Sequence, residues 1–270
     1  VMVVETSDLG ACVREERSVE SFERVILDGI GHVDVTQGDV ERLVVEAPGD
    51  LQRRIETHVE GRTLMLRLRE RGFPIHLHNR SIRYEITMPK ICGLAIDGSG
   101  SIDAPRVTSE SLDASIDGAG RIDIGSAEVH HLALDIDGSG RLSVASATAN
   151  DARFEIDGAG TIDVDHLVSH EVRVSIDGQG RVQAKGATDS LSIEIDGAGT
   201  VDARSLQARV ADVSIDGVGK VTTWAEESLE ARIDGFGRIE YVGNPCVRQR
   251  VDGAGRVVRS ADTRDASHPV

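Results

Sequence analysis

Aromatic residues are scarce in this 270-residue chain: four Phe, two Tyr and one Trp make up only 3% of it. Wide spaces between packed elements are usually filled by such side chains. Their absence excludes a broad core, and the Val, Ile, Leu and Ala that dominate the apolar 39% must fill a narrow interior instead. Positive charge is short as well. Lys and Arg number 30 against 46 Asp and Glu, a net charge of −16. Nucleic acid and anionic membrane surfaces both call for clustered cations, so the acidic balance argues against either as a partner, and no nucleic acid is expected. No apolar run approaches the ~18 residues of a membrane-spanning helix. Three cysteines (Cys12, Cys92 and Cys246) at unrelated spacings exclude a disulfide framework and a zinc pattern. The sequence contains no Gly-x-Ser-x-Gly, no His-Glu-x-x-His, no Walker glycine loop and no Cys-x-x-Cys. Composition excludes much and names no activity.

Glycine is the exception, with 29 residues, and most of them sit in one recurring unit. Ile96-Asp97-Gly98-Ser99-Gly100 returns as Ile116-Asp117-Gly118-Ala119-Gly120 and then repeatedly. Its aspartates are Asp97, Asp117, Asp137, Asp157, Asp177, Asp196, Asp216, Asp234 and Asp252, so successive differences are 20, 20, 20, 20, 19, 20, 18 and 18. A further copy, Asp28-Gly29-Ile30-Gly31, stands isolated far upstream.

Each tandem copy carries the same alternation. Leu112, Ala114 and Ile116 precede one aspartate, and Leu132, Leu134 and Ile136 the next, with mostly polar residues between them. After the glycines come Ile122 and Ile124, then Leu142 and Val144. Period two means half-buried strands. A third apolar position follows at Val107, Ala127, Ala147, Leu167, Ala187 and Leu206. Such units cannot bury their inward faces alone and must stack. One coil per ~20 residues sets equivalent residues ~4.8 Å apart. The expected fold is all-β: a right-handed parallel β-helix, or solenoid, of about 18–20 residues per coil. A propeller blade needs ~40–50 residues, twice this unit. Residues 1–18 read as a tail open to processing, 19–90 as a β-rich region that starts or caps the coils, 91–258 as the tandem solenoid, and 259–270 as a polar tail.

The turn residues Asp97, Gly98, Gly100, Asp117, Gly118, Gly120, Asp137, Gly138 and Gly140 are read as structural corners, with the first glycine supplying positive φ between strands and the second doing the same or letting neighbouring coils approach. Stacked aspartates repel by ~1 kcal/mol per neighbouring pair in water. Side-chain bonds to the N–H groups of their own turns would offset this. So would the cations that follow the glycines in six of nine copies, at Arg121, Arg141, Arg181, Lys220, Arg238 and Arg256. The sharper alternative is Ca²⁺ held by a ladder of Asp117, Asp137, Asp157 and Asp177. No other cofactor is indicated.

Elsewhere, His58-Val59-Glu60-Gly61-Arg62-Thr63-Leu64-Met65-Leu66 reads as a hairpin. His76 and His78, two apart with His58 nearby, could meet a transition metal but read as surface histidines. His130, His131, His166 and His170 fall on the irregular third face of their coils, and Trp224 and Phe236 are isolated large residues. Asn79-Arg80-Ser81 matches a glycosylation sequon. Leu9-Gly10-Ala11-Cys12 resembles the site where bacterial lipoproteins are cleaved and lipidated, although Val1 to Asp8 is too short for an apolar h-region and contains Glu5 and Asp8.

Several residues together resemble a known family. Ser21-Phe22-Glu23-Arg24-Val25, Val33-Asp34-Val35-Thr36-Gln37-Gly38-Asp39, Thr63-Leu64-Met65-Leu66, Met88-Pro89-Lys90 and Tyr241-Val242-Gly243-Asn244-Pro245 are similar to the bacterial head GIN domain of putative auto-transporter adhesins. The Asp-Gly-x-Gly series stands where that family usually has Ser-Gly-Ser-Gly. The resemblance implies a β-helical domain of unknown function, without established catalytic residues, on secreted, periplasmic or lipid-anchored proteins. The function expected is a non-enzymatic envelope or surface protein acting as a binding or scaffold module through its solenoid faces, with a glycan or protein ligand. A β-helical carbohydrate-active enzyme and a self-assembling filament module, joined through the solenoid ends, are the alternatives.

Overall fold

A computed structural model describes residues 12–69 and 81–260. It is nearly all β, wound as a solenoid of about 8 turns. One coil shows how the alternation builds it. Strand Ser111–Ile116 runs to the corner at Asp117-Gly118, strand Ala119–Glu128 leaves it, and the chain returns through Val129 and His130 to strand His131–Ile136. The strand before each corner and the strand after it form two parallel ladders. Leu112 faces Leu132, Ala114 faces Leu134 and Ile116 faces Ile136. Beyond the corner Ile122 faces Leu142, Ile124 faces Val144 and Ala127 faces Ala147. The 20-residue period of the sequence is therefore the register of the sheet.

Like residues fall into columns. The isoleucine before each aspartate forms an unbroken inward row, Ile96, Ile116, Ile136, Ile156, Ile176, Ile195, Ile215 and Ile233, fully shielded from water. Equivalent side chains on parallel strands nest in one rotamer, which suits a stiff β-branched residue. Large and small residues compensate within a rung: buried Phe154 has Ala152 beside it, where neighbouring coils carry Leu132 and Val172.

The third apolar column departs from the sequence reading at one coil. Ala187 is exposed, and Gly186, with φ +131°, takes the place opposite Leu167 and Leu206. This coil is a residue shorter, so the chain omits one position on the return face. Buried Thr188 packs there instead, its hydroxyl 3.3 Å from that of Ser169.

Residues 19–90 hold the main surprise. The isolated Asp28-Gly29-Ile30-Gly31 is not isolated in space. Strand Arg24–Asp28 pairs in parallel with Gly93–Ile96, and Ile30–Gln37 with Ser99–Thr108. The Leu27 carbonyl accepts from the N–H groups of Asp97 (3.1 Å) and Gly98 (3.2 Å), as the Ile96 carbonyl does from Asp117 (3.0 Å) and Gly118 (3.2 Å). It is the first corner of the column, separated from the second by an excursion of the chain. That excursion closes the lower end. Thr63–Leu68 and Arg83–Met88 add a further parallel strand under each ladder. Antiparallel strands Ile55–Glu60 and Arg42–Pro48 then lie outside these, with Cys12–Arg17 outermost. Gly61, at φ +62°, turns the hairpin between Glu60 and Thr63. Helix Gly49–Gln52 plugs the bottom with buried Leu51, and Arg17 bonds to the Ile55 and Gln52 carbonyls (2.9 and 3.1 Å). The outermost strand reads Arg14-Glu15-Glu16-Arg17, a charged edge that discourages further pairing.

At the other end, strand Cys246–Val251 places Gln249 above Ala231, and Arg256–Arg259 places Arg259 above Tyr241. Polar residues thus enter inward columns at the last coil. Among the described residues no helix is long and apolar enough to cross a membrane.

Candidate functional site

The aspartates that follow the isoleucine column line one outer corner of the solenoid. Their environment differs from the sequence reading in three respects. First, the corner N–H groups do not bind carboxylates of their own turns. They are spent on the coil below: Ser139 N–H donates to Gly118 O at 2.8 Å and Asp137 N–H to Ile116 O at 3.1 Å. Second, no corner glycine from Gly98 to Gly140 has left-handed φ. Glycine is required because a Cβ at Gly118, Gly138 or Gly158 would lie under 3.0 Å from backbone carbonyls of the preceding corner. Third, the cations after the glycines serve another row. Arg121 pairs with Asp123, Arg141 with Asp163 (2.5 Å), and Arg238 with Glu240 (2.6 Å). Period two explains it: a residue and its second neighbour share one face of a strand. The corner row is left to solvent, with guanidinium partners at its two ends, Arg67 on Asp28 (2.6 Å) and Arg250 on Asp252 (2.6 Å). Partial burial, then the neighbouring Asp117 and Asp28 carboxylates, raise the pKa of Asp97. Asp157 is raised by desolvation, then Glu155 and Asp137. Asp117, Asp137, Asp157 and Asp177, the candidate Ca²⁺ ladder, occupy equivalent places on successive corners. The one described group of three ligand atoms lying within 4.8 Å of one another is elsewhere, at His32, Asp34 and Asp103.

The outer face after the corners therefore carries two columns, cations and acids. Its first rungs break the pattern: His32 and Ser101 occupy cation positions, beside Asp34 and Asp103. Sequence reasoning missed this constellation because His32 follows the upstream copy of the repeat, and only strand pairing sets it against residues 69 positions on. The available signal was the repeat itself, since aligning Gly31 with Gly100 places His32 at Ser101.

The outer face before the corners is more acidic. Asp135 stands there beside Glu155, and burial, then Glu155, push its pKa up to about 6, against the pull of Arg153. A carboxyl raised from its unfolded ~3.9 destabilises the fold when ionised. That penalty is complete above the folded value and vanishes below the unfolded one, so stability rises as pH falls. Between pH 7 and 5 we expect a gain of about 1 kcal/mol, discounted for solvent screening. Asp135→Asn should stabilise the protein by about as much at pH 7.5 and flatten the dependence. Urea midpoints at both pH values for the two proteins check this.

On the same face lies a shallow open groove of about 510 Å³. It crosses several coils: Glu171 and Arg173 lie on the first, Ser190 and Ser192 on the next, then Val210 and Asp212, Ser228 and Glu230, and last Arg248. Serines thus alternate with charged residues along it.

The remaining sequence candidates do not converge. His76, His78 and Asn79 lie outside the described residues. His58 is exposed on the cap hairpin. His131 and His170 each join an acid one coil on, Asp151 (2.7 Å) and Asp189 (2.8 Å), while His130 meets Asn150 (3.2 Å). Trp224 is half-buried. Phe236 is 67% exposed and stacks in register with exposed Val218 at the corner. Cys12 and Cys246 are exposed, Cys92 is buried, and all three are free.

The family model described as putative auto-transporter adhesin, head GIN domain, matches residues 21–185 and 170–245. No curated protein matches the chain. Among solved structures, a putative adhesin from Parabacteroides merdae is similar at a TM-score of 0.72 and 16% identity, over 93% of this chain and 97% of that one. A putative adhesin from Parabacteroides distasonis is similar at 0.67 and 18%, over 94% and 98%. A structure named as a putative lipid binding protein, also from P. distasonis, is similar at 0.61 and 18%, over 93% and 98%. At these identities the likeness is one of fold.

Proposed function

Given that the chain belongs to the putative auto-transporter adhesin, head GIN domain family, we propose that it is a non-enzymatic binding module of the bacterial surface or envelope, engaging an extended ligand through its solenoid faces. The family and two of the structural neighbours are named as putative adhesins, and none of the names given is that of an enzyme. The observation that carries the reading is the regularity of the outer faces. Parallel strands one coil apart repeat their outward groups every ~4.8 Å, and an extended polymer can meet such groups in series. The groove lined by Ser190, Ser192, Asp212 and Ser228 is the place on these faces where an extended chain can lie beside charged side chains. It is open along its length, as binding demands, whereas an enzyme needs a cleft that excludes water around converging acid and base groups.

Immobilised protein should bind members of a panel of glycans and extracellular matrix proteins. Ser192→Trp, which fills the groove from an outward position, should weaken that binding at least about tenfold without moving the melting temperature. Anionic and zwitterionic vesicles serve as a comparison, since one structural neighbour is named as lipid-binding, and the net charge of −16 disfavours anionic ones. Binding to no member of the panel, or binding indifferent to Ser192→Trp, would overturn the proposal.

A further inference from the structure

Four residues on the second and third rungs of the post-corner ladder have a geometry that the charge pattern of that face does not explain. His32 and Asp34 lie two apart on strand Ile30–Gln37 and share its outer face; Ser101 and Asp103 face them directly on strand Ser99–Thr108. His32 Nε2 points between two carboxylates, 3.1 Å from Asp34 Oδ1 and 3.3 Å from Asp103 Oδ2. Its other ring nitrogen, Nδ1, is held 2.7 Å from Ser101 Oγ. Asp34 turns its second oxygen, Oδ2, to Arg83 Nε at 2.7 Å. Each of the three residues therefore aims one atom inward, with an outer partner on both His32 and Asp34.

We infer that His32, Asp34 and Asp103 form a binding site for a divalent first-row transition metal ion of the Zn²⁺ type. The donor set is one imidazole nitrogen and two carboxylate oxygens, which suits such ions better than an all-oxygen Ca²⁺ site. The spacing fits. Ligands ~2.1 Å from a tetrahedral ion stand about 3.4 Å from one another, close to the 3.1 and 3.3 Å separating Nε2 from the two oxygens. Ser101 and Arg83 supply the outer hydrogen bonds that orient metal-bound imidazole and carboxylate groups. Three protein ligands leave a fourth position open to water or to a group on a bound ligand. The site stands on paired strands, so its donors are placed by the ladder and not by a loop.

Charge points the same way. On this face Asp123, Asp163 and Glu240 each have an Arg partner. At the Asp103 rung the cation position holds Ser101 instead. Arg83 offsets Asp34, but the cation position of the Asp103 strand itself is empty of charge; Asp103 and Asp34 converge on the His32 imidazole, an arrangement a bound dication completes.

The test uses the full chain, stripped with chelator and dialysed. Calorimetric titration with Zn²⁺ should show one tight equivalent, and Co²⁺ should give the intense visible bands of a tetrahedral complex. His32→Gln and Asp103→Asn should each weaken Zn²⁺ binding at least about tenfold and abolish the Co²⁺ bands, while a His76→Gln/His78→Gln double variant should keep both. Melting curves in chelator establish that the variants are folded; the two single variants, at different strands, check one another. Absence of a tight equivalent in the unmodified chain would overturn the assignment. So would unchanged affinity in both His32→Gln and Asp103→Asn, or loss of the bands only in the His76/His78 variant. If His32 acts solely as a proton-charged partner of the two aspartates, the titration shows no Zn²⁺ heat, and the metal site falls.

Discussion

Gly138→Ala should destabilise the solenoid by about 3 kcal/mol or more, although it adds a single methyl group at an exposed corner. The new Cβ would meet Gly118 O and Asp117 O, both closer than 3.0 Å. Neither oxygen can step aside cheaply. Gly118 O accepts from Ser139 N–H at 2.8 Å, and it belongs to a ladder that repeats above and below. The two coils must part at the corner, which strips hydrogen bonds and exposes neighbouring isoleucines. Gly61→Ala provides the contrast. Gly61 has φ +62° and nothing within 4 Å of its would-be Cβ, so the cost there is left-handed strain alone, about 1–2 kcal/mol. Urea denaturation of both variants separates crowding between coils from backbone conformation. Hydrogen exchange adds the location: because each coil touches only its neighbours, lost protection should concentrate in the coils flanking residue 138. Equal costs for the two variants would refute the close-stacking account.

That contrast also marks how far the amino-acid order reveals the fold. Period two with a 20-residue recurrence is enough to determine parallel pairing, because only one register superimposes Ile96, Ile116 and Ile136. The scarcity of aromatics points to the narrow interior that those columns fill. Local order was less informative wherever two parts of the chain meet after a long excursion. Asp28 and Asp97 are neighbours in space, yet the sequence, which reveals the hairpin at Gly61 and a β-rich region that starts or caps the coils, does not show that the first corner precedes that excursion and the second follows it. The antiparallel cap strands are amphipathic like the rest, and orientation leaves no trace in alternation alone. The candidate metal site depends on that same junction and was hidden with it. Side-chain partners were misjudged for a different reason. Proximity in sequence suggested that Arg121 serves Asp117, but the corner turns between them, and Arg121 shares a strand face with Asp123. The need for glycine at the corners is set by the preceding coil's carbonyls and not by φ, a contact that no single repeat displays.

Phe154→Ala should cost about 4 kcal/mol, by a mechanism opposite to that of Gly138→Ala. Phe154 is completely buried, in register between Leu134 and Val174. The neighbouring coils place residues of equal size at the two inward positions of this strand, Leu132 with Leu134 and Val172 with Val174; here the adjacent inward residue is Ala152. The ring fills space that Ala152 leaves, so its removal puts two alanines side by side in one rung and opens a void. The hydrogen-bonded ladders on either side hold the coils at a ~4.8 Å spacing, so collapse cannot close it. Phe154→Leu keeps most of the volume and should lose under about 1.5 kcal/mol. Adding Ala152→Leu to Phe154→Ala restores bulk at the neighbouring position, in the style of the Leu132 coil, and should recover part of the loss. Non-additivity of that pair, measured as a double-mutant cycle by urea denaturation, reports their coupling through a shared space. Additive effects would mean that the rung relaxes independently at each position, and that the columns are softer than their strand spacing implies.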